Sequence, residues 1–434
     1  MRRTIIEIRM GRNFDDAWRA MSKRLKSKEL SLEILNNISK KYGNAFYILD
    51  SDVFENNFKK LTESFTKYYK KFNIAYSYKT NYTPKLVKIV NKLGGYAEVV
   101  SDMEMEIALR AGVPAEKIIW NGPVKNESKV RDLLLAGGTV NIDSVFEMGN
   151  ICTLAAENPD TILNIGIRCN YDVGDGVLSR FGFDTEGEDF DVVLRNIEST
   201  PNLHLNNLQA HFAKRAPQFW IARTEGMLKV YDKVVEKYGF KPERLDIGGG
   251  IYGNMPESMR VQLDIGDITF DDYASKAGKL FAEHFENDVD TPWLFIEPGS
   301  ALAGDCMRFV SKVETIKSVR GKTIATVIGS QKNISMSGIN PPIEIIASRE
   351  KRQHVDNADI VGFTCIEGDV LQNNYSGELG TGDFVVISNC GSYSVVMKPP
   401  FILPNFAVVD ISGDDIEVIK KAETFDDLFH TFKF

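Results

Sequence analysis

The chain has 434 residues, 43% of them hydrophobic and 26% charged, which is an ordinary composition for a folded protein with enough apolar material for two domains. A formal net charge of −8 argues against a protein that grips a polyanion over a broad basic face, so nucleic acid is not an expected partner. The five cysteines are widely spaced and none is in CxxC spacing, which excludes a disulfide framework and a thiolate zinc site as expectations; we expect no metal.

The first residues and the apolar runs bear on where the protein works. The start, MRRTIIEIRMGRNFDDAW, carries positive charge but only a two-residue apolar run, so it lacks the apolar region of a secretory signal. No later run approaches the roughly 18 apolar residues of a membrane span. These features predict a cytoplasmic protein without a membrane partner.

The N-terminal segment precedes the main pattern of the chain. Residues 15–41 have helical periodicity, and NAFYILD (44–50) has the pattern of a strand. This strand could join a sheet formed much later in the sequence.

From residue 73 to residue 299, short apolar runs alternate with amphipathic segments. Because each run is short and is followed by a helical pattern or a long connection, the pattern indicates parallel βα units. Eight such units predict an α/β fold, specifically an eight-stranded (β/α)8 barrel of the TIM type. The predicted strands are 73–81, 95–100, 117–122, 139–144, 162–170, 203–212, 244–250 and 293–299.

Beyond residue 300 the pattern changes to β-rich runs separated by turns, as in FVSKVETIKSVRGKTIATVIG and FAVVDISGDDIEVIK. Long helical periodicity returns only at the end of the chain. We therefore expect a second, mostly β domain, formed by the C-terminal part together with the N-terminal segment. The expected division is 1–49 for that segment, 50–299 for the barrel and 300–434 for the C-terminal part.

Lys79 is the first candidate site residue. In NIAYSYKTN (73–81) a period of two puts Ala75, Ser77 and Lys79 on one face of the predicted strand. If that face points into the barrel, Lys79 stands at the C-terminal mouth, where the sites of this architecture lie. A partly desolvated lysine there could lose its proton and form a Schiff base with an aldehyde cofactor. The alternative is a solvated lysine at a strand end.

The glycine run in LDIGGGIYGNM (245–255) is the second candidate. Gly248-x-Gly250-x-x-Gly253 has the spacing of a dinucleotide fingerprint, which should open a helix directly. Pro256 interrupts the segment that follows, and no acidic residue closes a convincing second strand beyond it. A phosphate loop at the mouth of a late barrel strand is therefore favoured over a nicotinamide dinucleotide site, with a purely structural turn as the alternative.

A series of motifs in fixed order carries a family resemblance. From about residue 44 onward the chain resembles the fold-type III pyridoxal-phosphate decarboxylases, the group of diaminopimelate and ornithine decarboxylases, whose barrel is of the alanine racemase type. The matching stretches are YSYKTN (76–81), GGYAEVVSDMEMEIALRAGV (94–113), IIWNGPVK (118–125), SRFGF (179–183), AHF (210–212), DIGGGIYG (246–253), EPGS (297–300), FTCIEGDVL (363–371) and CGSYSVVM (390–397).

The resemblance implies a cofactor, a reaction and an assembly. The cofactor is pyridoxal 5′-phosphate, and the reaction is loss of the α-carboxylate of an amino acid through a quinonoid intermediate, with release of an amine. It implies that Lys79 forms the Schiff base and that Cys365, from the neighbouring subunit of a head-to-tail homodimer, helps to protonate the carbanion. The remaining implied cofactor contacts are His211 on the ring, Glu297 at the pyridine nitrogen, and Gly248, Gly249, Gly250, Gly299, Ser300 and Tyr393 around the phosphate.

This chain departs from the family motifs at two positions near the expected phosphate site. The family usually reads EPGR, whose arginine contacts the phosphate, whereas this chain has Ser300. The family also usually has a serine after H-x-G, whereas here His211-Phe212-Ala213 leads to Lys214. We hypothesise that Lys214 supplies the positive charge that position 300 has lost, with Arg215 as the fallback.

This chain also departs from the family motifs at positions expected to contact the substrate. Ile366 follows Cys365, and the acidic residue is Glu367, one place later than the aspartate of ornithine decarboxylases. The stretch 329–346 lacks the arginine–proline pair that would hold the distal carboxylate of diaminopimelate and has Asn340 there instead. Glu367 and Asn340 are thus the candidate substrate contacts. The departures favour a larger or differently charged amino acid, or a conjugate, in specialised biosynthesis such as that of siderophores.

Three other functions stay open at this point. An amino acid racemase or epimerase would share the barrel and the cofactor but leave the carboxylate in place. A non-catalytic homologue is conceivable because the EPGR motif is altered, although Lys79, Glu297 and Cys365 are all present. The glycine spacing alone supports a nicotinamide-dependent oxidoreductase.

Overall fold

The computed structural model describes residues 30–334, 338–348 and 352–434. The predicted N-terminal helix lies partly outside these residues; its described part is α1 (Leu32–Tyr42), which begins at Ser31, whose hydroxyl accepts from the Ile34 N–H. Next comes β1 (Ala45–Leu49), a fully buried strand where NAFYILD predicts one.

Eight parallel strands form a closed barrel, which confirms the predicted fold class. Each strand pairs with the next along the chain, and the last pairs with the first to complete the ring, while one very short additional strand only extends the edge of the fifth. The barrel strands are β2 (Phe72–Ser77), β3 (Tyr96–Val99), β4 (Ile118–Trp120), β5 (Thr139–Ile142), β6 (Leu163–Asn170), β8 (Leu203–Gln209), β9 (Arg244–Asp246) and β10 (Trp293–Ile296), with β7 at Phe183–Asp184.

Helices follow the barrel strands and cover them, as the amphipathic segments predict. One helix was not predicted from the sequence: in α2 (Ser51–Thr66), Phe54, Phe58, Leu61 and Phe65 form one buried stripe, and Asp50 caps the N-terminus through the Val53 N–H. The helices are α2 (Ser51–Thr66), α3 (Pro84–Lys92), α4 (Asp102–Arg110), α5 (Glu127–Leu135), α6 (Val145–Glu157), α7 (Glu188–Glu198), α8 (Phe219–Tyr238), α9 (Glu257–Gln262), α10 (Phe270–His284) and α11 (Ser300–Ala303).

The second sheet combines the C-terminal strands with β1. That strand lies between β11 (Met307–Val319), with which it pairs antiparallel, and β17 (Ala407–Asp410), with which it pairs parallel, so the predicted role of the N-terminal strand is confirmed. The other elements are β11 (Met307–Val319), β12 (Lys322–Val327), β13 (Ile343–Ile346), β14 (Gln353–Val361), β15 (Val370–Leu379), β16 (Phe384–Ile387), β17 (Ala407–Asp410), β18 (Glu417–Lys420) and the short α12 (Phe425–Phe429).

A buried carboxylate connects the sheet to the barrel. Asp410 on β17 accepts from the Ser51 hydroxyl at 2.6 Å and pairs with Lys85 on α3 at 2.6 Å. These bonds and the buried pairing of β1 hold the mouth of the barrel against the second sheet.

Most predicted barrel strands end earlier than expected, and two of these ends lie where Lys79 and the glycine loop begin. The prediction that Lys79 lies on the first strand is wrong: β2 stops at Ser77, whose N–H donates to the Pro298 carbonyl, and residues Tyr78–Thr80 form a 3₁₀ turn. The strand predicted at 244–250 stops at Asp246, since Gly248 and Gly250 have φ values of 76° and 86° that do not continue a ladder.

Candidate active site

Lys79 lies at the C-terminal mouth of the barrel, as predicted, although on a turn. Its side chain is 40% exposed, so a ligand can reach the amine. Its Nζ donates to both oxygens of Glu98 on β3, at 3.0 and 3.2 Å. Burial alone would lower the pKa of Lys79, but the charges of Glu98 and Glu297 raise it above the ordinary value. Lys79 and Glu98 therefore form an ion pair in which the proton stays on the lysine.

Glu98 and Glu297 are linked through Asn121, which directly follows β4. The Asn121 amide donates to Glu98 Oε1 at 3.0 Å and to Glu297 Oε1 at 2.5 Å. Gln209 on β8 donates to the other side of Glu297 at 3.1 Å. Four strands thus fix two carboxylates and one lysine within a single hydrogen-bonded group.

A row of asparagines inside the barrel supports this group. Asn207 donates to Asn141 at 2.9 Å, and Asn141 donates to Asn121 at 2.6 Å, so each amide fixes the orientation of the next. Gly166 makes room for the row, because a Cβ there would lie 1.8 Å from Asn141 Oδ1. The supporting amides of Asn141 and Asn207 lie on the barrel strands themselves.

The acids of the centre differ in their protonation. Burial opposes the ionisation of Glu98, but Lys79, Ser77 and Asn121 together lower its pKa. Burial, followed by the charges of Asp246 and Glu98, raises the pKa of Glu297 well above its ordinary value. Burial also raises the pKa of Asp246 to about 7. Glu297 can therefore hold a proton at the end of β10 while Glu98 stays ionised beside Lys79.

His211 and the glycine loop lie against Glu297. His211 Nδ1 accepts from the Gly249 N–H at 3.0 Å. Burial and the surrounding cations, Lys79 first, lower the pKa of His211 well below its ordinary value, so the imidazole is neutral. A Cβ on Gly249 would lie 2.2 Å from the Glu297 carbonyl oxygen, and one on Gly248 would lie 2.3 Å from the Ala210 oxygen. Only glycines allow the loop to come this close to the ring of His211 and to Glu297.

A cavity of about 420 Å³ opens next to the glycine loop. Among the described residues, two cations and no carboxylate line it, which makes it suitable for an anion. Lys214 and Arg215 are both exposed at its rim. The lining brings together Ala213, Lys214, Arg215, Ile251, Gly253, Ser300 and Tyr393, together with Tyr252, Asn254, Met255, Met259, Leu263, Gly304, Ile339, Pro341, Asn389 and Ser392.

Thr80 connects the cavity to the lysine. The Tyr393 N–H donates to the Thr80 carbonyl at 3.0 Å, and Tyr393 itself has a left-handed φ of 56°. A Cβ on Gly299 would lie 1.9 Å from Thr80 Oγ1, so the glycine after Pro298 allows this turn to pack on the turn that carries Lys79. Lys79, Gly299, Ser300 and Tyr393 therefore belong to one site.

The other three predicted residues lie elsewhere in the chain. Cys365 is exposed on the loop between β14 and β15, and Glu367 on the same loop is also exposed. Asp369 anchors this loop by accepting from Ser330 and Thr364. Asn340 exchanges backbone hydrogen bonds with the Gln262 side chain and does not line the cavity, although Ile339 and Pro341 do. None of the three contacts the lysine of its own chain within the described residues.

Sequence reasoning missed three residues of the site. Glu98 and Asn121 stand in motifs that carry the family resemblance, yet nothing in YAEVV or IIWNG shows that they meet. Arg223, in the amphipathic helix α8, reads as a surface cation, but its side chain is fully buried beneath the glycine loop. Only the packing reveals these contacts.

Other kinds of site find no support in the described residues. The chain after Gly253 stays irregular up to Pro256, and the short α9 follows, so the glycine loop opens no helix of the dinucleotide type. Residues 30–334, 338–348 and 352–434 contain no group of three His, Cys, Asp or Glu side chains that could hold a metal ion. No helix among them is long and apolar enough to cross a membrane.

Comparison with known proteins agrees with this geometry. Residues 55–304 match the family model described as the pyridoxal-dependent decarboxylase, pyridoxal binding domain. Diaminopimelate decarboxylase of Methanothermobacter thermautotrophicus is 26% identical over 405 residues, which cover 90% of this chain and 92% of that protein.

Two solved structures share the fold. The structure of diaminopimelate decarboxylase from M. jannaschii superposes with a TM-score of 0.80 at 21% identity, covering 92% of this chain and 94% of the other. The structure of lysine/ornithine decarboxylase from Vibrio vulnificus, complexed with putrescine, superposes with a TM-score of 0.71 at 19% identity, covering 89% and 99%. The same fold thus serves enzymes named for different amino acids.

Proposed function

The chain belongs to the pyridoxal-dependent decarboxylases, and from this premise we propose that it removes the α-carboxylate of an amino acid, or of an amino-acid conjugate, other than diaminopimelate. It is a carboxy-lyase whose cofactor is pyridoxal 5′-phosphate. One observation carries the proposal: a reachable lysine, a buried proton-holding glutamate and a glycine loop meet at the mouth of the barrel.

The residues fit this cofactor. Gly248 and Gly249 allow the loop to pack directly against the Ala210 and Glu297 carbonyls, and the described residues that line the cavity beside it include two cations and no carboxylate. We propose that the phosphate binds there, near Gly250, Ser300 and Tyr393, with Lys214 at the rim. When bound, pyridoxal phosphate supplies a ring that accepts the electron pair left on the α-carbon as CO2 departs.

Each ionisable side chain at the mouth has a different protonation state and a different proposed role. Glu98, at 3.0 Å, holds Lys79 in place as an ammonium, which would have to lose its proton before the free amine could bond to the aldehyde of the cofactor. Glu297 holds a proton for the ring nitrogen, and its raised pKa supports this role. His211 stays neutral, so its flat ring packs against the cofactor without adding charge.

We further propose a head-to-tail homodimer in which each chain completes its partner's site. The exposure of Cys365 and Glu367 supports this, because a loop anchored by Asp369 presents both side chains outward. In the proposed dimer Cys365 delivers a proton to the α-carbon, and Glu367 contacts the substrate.

The substrate differs from diaminopimelate in this proposal. Asn340 is neutral and stands in a stretch without an arginine, so the arginine–proline pair that would hold a distal carboxylate is missing. Relatives with the same fold are named for diaminopimelate and for lysine or ornithine, and fold alone therefore does not select the substrate. A larger or differently charged amino acid, in specialised biosynthesis of the siderophore type, agrees with these changes.

The test combines two readouts on one substrate panel. Purified protein loaded with pyridoxal phosphate is given diaminopimelate, lysine, ornithine, arginine and N-acylated amino acids, followed by an untargeted metabolite extract. Released CO2 and the amine product are measured by mass spectrometry, with Lys79→Ala as the control. We expect an amine from a substrate other than diaminopimelate. Exchange of the α-hydrogen for deuterium without CO2 would instead indicate a racemase, and diaminopimelate as the preferred substrate would refute the proposed specificity.

A further inference from the structure

We propose that Arg223 is the buried cation that takes over, for the cofactor phosphate, the role of the arginine missing at Ser300. The inference rests on the proposed function only in that the bound anion is the phosphate of pyridoxal phosphate. Arg223 does not line the cavity and acts through the two loops that do, so it is a positioning residue.

The guanidinium of Arg223 lies beneath both loops at the phosphate site. Nη1 donates to the Gly249 carbonyl at 2.6 Å and to the Ile247 carbonyl at 3.4 Å. Nη2 donates to the carbonyls of Lys214 at 3.1 Å and of Phe212 at 3.4 Å. One side chain of α8 thereby ties the loop after β8 to the loop after β9.

These bonds orient the donors that face the cavity. In a trans peptide the C=O of one residue and the N–H of the next point in opposite directions. The carbonyls of Phe212, Lys214 and Gly249 point toward Arg223. The N–H groups of the residues that follow therefore point away from Arg223. These N–H groups, of Ala213, Arg215 and Gly250, donate no hydrogen bond to any described residue. They form a ready set of donors for an anion.

The charge of Arg223 is not cancelled inside the protein. Its side chain is fully buried, and no carboxylate of the described residues forms an ion pair with it. The guanidinium is surrounded by carbonyl dipoles and by two aromatic rings. Its Cζ lies 5.6 Å from the ring centroid of Phe212 and 4.9 Å from that of Trp220. Burial lowers the pKa of Arg223 to about 10, so the group stays protonated at neutral pH. A buried, unpaired cation is costly unless an anion is bound nearby.

Lys214 and Arg215 differ from Arg223 in their solvation. Both are exposed at the rim, where water and salt screen their charges. A desolvated charge acts more strongly on a nearby anion than an exposed one. We therefore expect Arg223 to contribute more to phosphate affinity than the two rim cations do.

The experiment compares pyridoxal phosphate with pyridoxal, which reacts with the same lysine but has no phosphate. Apo-protein of wild type, Arg223→Gln and Arg223→Lys is titrated with each ligand, and binding is followed by visible absorbance. We expect Arg223→Gln to weaken pyridoxal phosphate about a hundredfold, ~2.7 kcal/mol, and to leave pyridoxal unchanged. Arg223→Lys should retain more affinity than Arg223→Gln, because it keeps the charge. Equal losses for the two ligands, or equal losses in the two variants, would overturn the proposal.

If Arg223→Gln does not fold, a double variant tests whether the phosphate affinity depends on the rim cations instead. Lys214→Ala and Arg215→Ala, combined in one protein, should weaken pyridoxal phosphate by at most about tenfold. A hundredfold loss in that double variant would assign the charge to the rim and refute the role of Arg223. Wild-type protein that binds pyridoxal phosphate but releases no CO2 would refute only the proposed decarboxylation, so the two failures are distinguishable.

Discussion

Lys398 offers a test of the electrostatics that does not depend on the cofactor. It lies in the long connection between β16 and β17, is 7% exposed, and its Nζ has no hydrogen-bond partner among the described residues. The amine lies over the ring of Tyr47 at 4.5 Å. Burial, with Lys420 adding to it, lowers the pKa of Lys398 from 10.5 to about 7. We predict that Lys398→Met stabilises the protein at neutral pH.

The magnitude follows from that difference in pKa. Each pKa unit corresponds to ~1.36 kcal/mol, so at pH 7 the lowered pKa costs the folded state about 4 kcal/mol. The interaction with the Tyr47 ring, of about 1 kcal/mol, offsets part of this cost. We expect Lys398→Met to raise the free energy of unfolding at pH 7 by about 3 kcal/mol.

The sign of the pH dependence follows from the protons bound. The folded-state pKa lies below the unfolded one, so between about pH 7 and 10.5 the unfolded chain binds more protons, and wild-type stability gains ~1.4 kcal/mol per pH unit from this residue. The advantage of Lys398→Met should shrink at that rate as the pH rises. Urea unfolding of both proteins at pH 7, 8, 9 and 10 measures it, with the exposed Lys241→Met as a control. An advantage that stays constant from pH 7 to pH 10 would refute the reasoning.

Three further predictions concern the site. Gly249→Ala should abolish or strongly weaken cofactor binding, because its Cβ would lie 2.2 Å from the Glu297 oxygen; Gly266→Ala, which meets no atom within 4 Å, should bind normally in the same absorbance titration. Glu297→Gln should bind the cofactor but release CO2 at least about a hundredfold more slowly, since the proton held at the ring nitrogen is lost; an unchanged rate would contradict its role. Lys79→Ala and Cys365→Ala should each be inactive alone, yet recover about a quarter of wild-type activity when mixed subunits reassemble, because half of the dimers then carry one intact site. Absence of recovery in dimers verified to have exchanged would contradict shared sites.

The barrel strands and the helices that cover them could be predicted from the sequence because their signals are local. A buried parallel strand is a short apolar run, and a covering helix has a stripe of period 3.6, so 139–144 or 203–212 is recognisable without its neighbours. The helix α2 could have been found by the same rule, from Phe54, Phe58, Leu61 and Phe65 after the capping residue Asp50. The boundaries were less accurate where the site begins, because glycine conformations and the 3₁₀ turn at Lys79 depend on contacts with distant segments.

The sequence by itself therefore determined the fold class, the family and the residue types at the mouth, since local periodicity and the ordered motifs do not require knowledge of any distance. Only the tertiary structure decided that Glu98, Asn121 and Glu297 form one group around Lys79, and that Arg223 lies under LDIGGGIYGNM rather than in solvent. These contacts join residues that are 19 to 176 positions apart in the chain. The physical reason is that burial and charge pairing are set by which strands and loops meet at the barrel mouth, and no local pattern encodes that meeting.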